Sequence, residues 1–226
     1  MRRKFNFSIG EYYHVYNRGV DKRIIFNDSH DYNRFIVLLH LSNSSQPVDI
    51  DKTLRGGLSF PELIRMDMGE RLVDIGAYCL MPNHFHLLLK ERIENGISIF
   101  LKKLSTAYSM YFNRKHERTG SLFQGPFQAT HADNDQYLKY LFAYIHLNPI
   151  KIIDPNWKEN MVFDQVNIKK HLESYKYSSY LDYLGVQRQE SIILNKSVFP
   201  EYFNIDHSFE DFIENWLQIK AELLLQ

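Results

Sequence analysis

The sequence predicts an α+β fold: an antiparallel sheet with helices packed on one face, followed by a mostly helical C-terminal extension. Three observations predict it. Short runs rich in β-formers alternate with longer stretches of helical apolar spacing. Two of those runs are separated only by a Met-Pro-Asn turn, which makes them a hairpin. Beyond Pro155 the pattern weakens and the stretches at 171–184 and 209–225 read as helical. The expected division is a domain over 1–152 and a helical extension over 153–226.

Residues 11–18 (EYYHVYNR) are bounded by Gly10 and Gly19 and read as a strand. Residues 28–42 follow with apolar positions at 32, 35, 36, 38 and 39, the stripe of an amphipathic helix. Residues 43–70 are polar, contain Pro47, a Gly56-Gly57 pair and Pro61, and read as a long loop or insertion. Residues 73–80 and 84–90 form the hairpin strands. Residues 97–112 carry apolar side chains at 97, 100, 101, 104, 107, 108 and 111, a helical stripe. Residues 120–128 contain three chain breakers and read as a loop leading into a short strand to Thr130. A further helix is expected from an Asp133 N-cap, with Gln136 completing a capping box. It runs to about Leu147, where Pro149 disfavours the helical conformation at Asn148. Residues 171–184 and 209–225 read as helical.

Composition narrows the function. The single cysteine, Cys79, excludes an internal disulfide framework and a multi-cysteine zinc site, and suits a reducing compartment. No apolar run is long enough for a membrane span, and the N-terminal segment lacks the apolar stretch of a signal peptide, so a cytoplasmic location without membrane association is expected. Net charge is zero, but residues 1–152 hold 20 Lys and Arg against 15 Asp and Glu, whereas residues 153–226 hold 7 against 12. A basic front and an acidic tail fit a first domain that faces nucleic acid. Chance segregation of surface charge would give the same split.

Chemistry enters with His84 and His86. Two apart on a strand, both imidazoles project from one face, while Phe85 points into the core. Such a pair can offer two neutral nitrogens to one divalent cation without identifying it. A pair of partly exposed histidines on a sheet is the plain alternative. His84, His86 and Glu91 also match the H-x-H-x4-E spacing of the cupins. Cupins are all-β, however, and Tyr78 and Ser98 stand where their flanking glycines would be.

A second group lies on the helix at 137–148. Tyr137, Tyr140 and Tyr144 share a stripe with Leu141, Ile145 and Asn148, a place where a tyrosine is usually core. Tyr144 and Asn148 are four apart, one turn on the same face. The Asn148 carboxamide oxygen is a suitable hard ligand for Mg or Mn, and a cation there would bring a bound phosphate within reach of the Tyr144 phenol. His146 lies about 200° round the helix and is a poor candidate base.

Four blocks together resemble the single-tyrosine HUH transposases, and most closely their REP-associated tyrosine transposase branch. They are YYHVYNRGVDKRIIF at 12–26, YCLMPNHFHLLL at 78–89, GSLFQGPFQA at 120–129 and YLKYLFAYIHLNPI at 137–150, with YKYSSYLDYLG at 175–185 similar to that branch's tail. The resemblance implies a ferredoxin-like HUH fold and a divalent metal, Mg or Mn, held by His84, His86 and Asn148. It also implies cleavage and joining of single-stranded or hairpin DNA through a covalent phosphotyrosine at Tyr144. The wider family uses Gln where Asn148 stands. The rival reading is a domesticated, non-catalytic binder of hairpin DNA. Monomer and homodimer stay open. Arg18, Lys22, Arg23, Lys102, Lys103, Arg114, Lys115 and Arg118 are candidates for contacts to the DNA backbone, and Phe123 and Phe127 for base stacking.

Overall fold

The computed structural model describes residues 6–46, 53, 56–67, 69–157, 164–203 and 208–223. Four strands, β1 (Tyr12–Arg18), β2 (Val73–Met81), β3 (His84–Glu91) and β4 (Gln128–His131), form one antiparallel sheet in the order β2-β3-β1-β4. The helices are α1 (Ser29–Leu41), α2 (Phe60–Ile64), α3 (Gly96–Lys115), α4 (Asp135–Leu147), α5 (Ile150–Ile153), α6 (Gln165–Ser174), α7 (Tyr180–Tyr183) and α8 (Phe209–Leu223).

Helices cover both faces of the sheet, not one. The periodicity of the strands explains this, because both sets of alternating side chains are buried. Tyr13, Val15, Phe85, Leu87 and Leu89 pack with α1 and α3. Leu88, Ala77, Cys79 and Met81 pack with Leu138, Leu141, Phe142 and Ile145 of α4. A bulge between Ile75 and Ala77 keeps β2 in phase with this division. It lets Tyr78 and Leu80 follow Val73 and Ile75 on the α1/α3 face. Gly76 sits at the bulge, where a Cβ would meet the Phe199 ring at 2.5 Å.

Local caps fix the helices. The Asp28 carboxylate accepts from the Asp31 N–H at 3.1 Å and starts α1. The expected loop at 43–70 contains α2: Ser59 and Glu62 form a capping box and Pro61 stands in the first turn, where its missing N–H costs nothing. Positions 47–52, 54, 55 and 68 of that stretch lie outside the described residues. The cap of α4 is Asn134, one residue later than the expected Asp133; its side chain accepts from the Tyr137 N–H at 2.8 Å. Asn148 keeps helical angles despite the following Pro149. The chain tightens instead: the Lys151 and Ile152 N–H groups bond three residues back, to Asn148 and Pro149, and lead into α5. The expected helix at 171–184 is two helices, α6 and α7, broken at Tyr175–Ser179.

After α6 the chain returns along the outer edge of β2. Bridges pair Cys79 with Ser178 and Ile75 with Leu194, and the Leu80 N–H bonds the Tyr177 carbonyl at 2.9 Å. Among the described residues no helix is long and apolar enough to cross a membrane.

Candidate active site

The face of the sheet beneath α4 carries a cluster of polar rings. His84 and His86 come from β3, and His14 and Tyr16 from β1. Strand register explains the meeting: Arg18 pairs with His84, Tyr16 with His86 and His14 with Leu88, so the alternate residues 14, 16, 84 and 86 share one side. His84 and His86 have ring centres 4.9 Å apart at 90°. The His14 Nε2 and His86 Nδ1 atoms are hydrogen-bonded at 2.9 Å, and both rings are buried. Phe85 is fully buried on the opposite face. Glu91 also points that way, accepting from the Ile97 N–H at 2.8 Å, so it cannot complete a cupin-type triad.

The hairpin turn orients His84. The Asn83 side-chain N–H donates to the Lys22 carbonyl at 3.2 Å, which turns its Oδ1 toward His84. His84 Nδ1 lies 2.6 Å from that oxygen. An amide oxygen only accepts, so His84 carries its hydrogen on Nδ1 and its lone pair on Nε2. Burial, with help from the charges of Lys151 and Arg18, lowers the pKa of His84 to about 4. Burial alone lowers that of His14 to about 4. Both rings are therefore neutral near pH 7, the form that ligates a metal.

Helix α4 lays Tyr144 across these imidazoles. Its ring stands edge-on to His86 with centres 5.4 Å apart and to His14 at 5.6 Å. Tyr140 stacks on Tyr144 at 5.7 Å, and Tyr137 stacks on Tyr140 at 6.0 Å. Burial, and then the neighbouring Tyr140 phenol, raise the pKa of Tyr144; a hydrogen bond from Asn148 opposes them. Asn148 is buried. Its Nδ2 donates to the Tyr144 carbonyl at 2.7 Å, and its Oδ1 accepts from Lys151 Nζ at 3.3 Å. The Lys151 ammonium is 5.7 Å from the centre of the Tyr144 ring. A small pocket lined by Tyr140, Tyr144, Asn148, Lys151, Trp157 and Trp216 opens beside the phenol.

Among the described residues no three His, Cys, Asp or Glu side chains are grouped to hold a metal ion. The His84 and His86 imidazoles and an amide oxygen do suit a divalent cation that completes its shell with phosphate or water. For this, Asn148 Oδ1 must exchange the Lys151 ammonium for the cation. His146 is remote from these groups: its Nδ1 donates to the Phe142 carbonyl at 2.8 Å and its Nε2 pairs with the Ser179 hydroxyl at 2.7 Å.

The expected DNA contacts divide. Arg18 donates to the Gln124 side chain beside an opening of about 450 Å³ lined by Tyr16, Asn17, Arg18, Gln124 and Gln128. Lys102 lines a groove of about 610 Å³ between α3 and the loop at 120–127; Asn17 and Phe127 line it too. Asn17 borders both openings and so links the histidine face to that groove round the β4 edge. Phe127 is half-buried and stacks at 6.3 Å on Phe7. Phe123 is 5% exposed, packed against Phe85 and Tyr108 in the core, which leaves it no face for a base. Lys103 donates to the Ser44 and Gln46 carbonyls at 2.7 and 3.1 Å. Lys115 is paired with Asp28 and Asp31, each at 2.7 Å. Arg118 donates to Asn113 at 2.7 Å. Lys22 and Arg114 are exposed, and Arg23 is half-buried. Sequence reasoning assigned no role to His14, Tyr16 or Lys151.

Residues 58–148 match the family described as "Transposase IS200 like". This match spans 91 of the 226 residues. The matched segment contains the histidine pair, Tyr144 and Asn148. No curated protein matches the chain. Among solved structures, the chain is similar to a REP-associated tyrosine transposase bound to a REP hairpin, with 10% identity, 84% of this chain and 90% of that chain covered, and a TM-score of 0.47. It is similar to a putative transposase from Deinococcus radiodurans R1, with 15% identity, 64% and 94% covered, and a TM-score of 0.33. It is also similar to the tRNA(His) guanylyltransferase of Saccharomyces cerevisiae, with 10% identity, 90% and 87% covered, and a TM-score of 0.36.

Proposed function

We propose that this chain is an IS200-like transposase that cuts and rejoins single-stranded DNA through a covalent phosphotyrosine at Tyr144. The observation that carries the reading is the contact of the Tyr144 ring with the His86 ring at 5.4 Å. It joins the phenol on α4 to the histidine pair on β3. Tyr144 packs against the apolar cluster beneath α4 and also faces two imidazoles and a lysine, which packing alone does not call for.

In the proposed reaction the Tyr144 Oη attacks the scissile phosphorus. A P–Oη bond forms, the bond to the 3′-oxygen breaks, and the strand end leaves as a 3′-hydroxyl after gaining a proton. Attack by another 3′-hydroxyl on the phosphotyrosine restores a phosphodiester and returns the phenol. One phosphodiester replaces another, so no nucleotide cofactor is needed. Mg or Mn held by His84, His86 and Asn148 would neutralise charge on the scissile phosphate as a Lewis acid. Lys151, released from Asn148, supplies a second positive charge beside Tyr144. The raised pKa of the phenol makes such charges useful, since they favour the phenolate.

Single-stranded or hairpin DNA would run from this face past Tyr16 and Arg18 to the groove at Lys102 and Phe127. The test is a nicking assay on end-labelled hairpin DNA with Mg or Mn. The wild-type chain should form a covalent adduct and release a 3′-hydroxyl fragment. Tyr144→Phe should form none and melt at the wild-type temperature. An adduct on Tyr144→Phe would remove Tyr144 as nucleophile, and DNA binding without any nick would favour the non-catalytic binder.

A further inference from the structure

We infer that His14 is a positioning residue that holds His86 in the tautomer able to ligate a metal. The inference rests on the metal reading above and adds a residue to it. The two histidines of β3 are treated alike by their surroundings. Each has its Nδ1 engaged at hydrogen-bonding distance: His84 with Asn83 Oδ1 at 2.6 Å, and His86 with His14 Nε2 at 2.9 Å. For His84 the partner is an amide oxygen, so the tautomer follows at once. For His86 two assignments satisfy the bond. Either His14 Nε2–H donates to His86 Nδ1, or His86 Nδ1–H donates to His14 Nε2.

Only the second puts the lone pair of neutral His86 on Nε2. It also matches His84, so both rings of the pair present the same nitrogen. A metal-ligating histidine commonly uses one nitrogen for the metal and its other N–H for an oriented acceptor, which fixes both the tautomer and the ring plane. A buried neutral imidazole can be that acceptor.

Packing makes His14 suited to the task. It lies on β1 opposite Leu88, two residues along the ladder from the partner of His86, so its ring reaches diagonally across the strands. It is 6% exposed, stacks on Tyr16 at 5.2 Å and meets the Tyr144 edge at 5.6 Å. Its ring lies 20° from the plane of the His86 ring, with centres 5.0 Å apart.

The wild-type, metal-free chain gives the first test. Long-range ¹⁵N–¹H correlation should show His86 protonated on Nδ1; protonation on Nε2 would overturn the inference. The second test measures Mn affinity by titration calorimetry for the wild type, His14→Phe, His14→Leu, His14→Gln and His86→Ala, each with its melting temperature. His14→Phe and His14→Leu should bind Mn about 10- to 100-fold more weakly. His14→Gln, whose amide oxygen can still accept, should recover most of that loss. Two coordinated histidine nitrogens should be counted on Mn by electron spin-echo spectroscopy. Wild-type affinity in folded His14→Phe or His14→Leu would overturn the inference, as would a third histidine nitrogen on Mn. If the wild type binds no Mn, or binds it as His86→Ala does, it is the metal reading that fails.

Discussion

Lys151 Nζ lies 5.7 Å from the centre of the Tyr144 ring. The same ammonium donates to the Asn148 side-chain oxygen at 3.3 Å. A cation held beside a phenol by an amide oxygen can turn to a transferring phosphate. Lys151→Ala should slow adduct formation by about 100- to 1,000-fold, the scale of losing one donor aimed at transition-state charge. Lys151→Arg should restore much of it. The measurement is single-turnover cleavage at saturating DNA, and equal rates for Lys151→Ala and wild type would remove Lys151 from the reaction.

The groove at α3 gives a contrast between two lysines. Lys102 is exposed and lines it, whereas Lys115 is held by Asp28 and the fully buried Asp31. Lys102→Ala should weaken DNA binding and reduce the salt slope of affinity by about 1. Lys115→Ala should leave that slope unchanged and cost about 1–3 kcal/mol of stability, because it strips charged hydrogen bonds from a buried carboxylate. Binding isotherms over a salt series, paired with urea denaturation, decide between these roles. The reverse pattern would show that the groove does not hold DNA.

His146 makes stability depend on pH. Burial lowers its pKa from 6.5 to about 3. The unfolded ring therefore takes up a proton that the folded ring refuses between about pH 6.5 and pH 3. The contribution to stability is complete above that window and is lost as pH falls through it. The wild type should be less stable to urea at pH 5 than at pH 7.5. His146→Leu should be weaker at pH 7.5 but lose less on acidification. His14 and His84 titrate in the same direction, so part of the slope should survive. An unchanged pH slope in His146→Leu would contradict the assignment.

Strands, helices and the histidine pair are legible in the sequence because they depend on neighbours within a turn or a pleat. The Tyr144–Asn148 relation is legible for the same reason. His14 is not, since it meets His86 across 72 residues and only the β1–β3 register joins them. Lysines mislead in the same way: the carboxylates that hold Lys115 lie 84 and 87 residues earlier. Phe123 misleads because a loop rich in breakers reads as exposed, yet a bridge to Gly19 turns it inward. Reading Pro61 as a breaker hides α2, although Ser59 and Glu62 announce its start.

The return of the chain along β2 bears on how this molecule behaves beside copies of itself. β2 is nine residues long, buried throughout, and stands at one end of the sheet order. A bare strand of that length is a template for pairing with any other strand it meets. The segments around Ser178 and Leu194 occupy part of that margin, and the Phe199 ring fills the notch at Gly76. The opposite margin, β4, is only four residues long. The C-terminal part of the chain thus acts as a guard rail. A chain cut after Ser174 would expose the long margin and should be prone to sticking edge to edge.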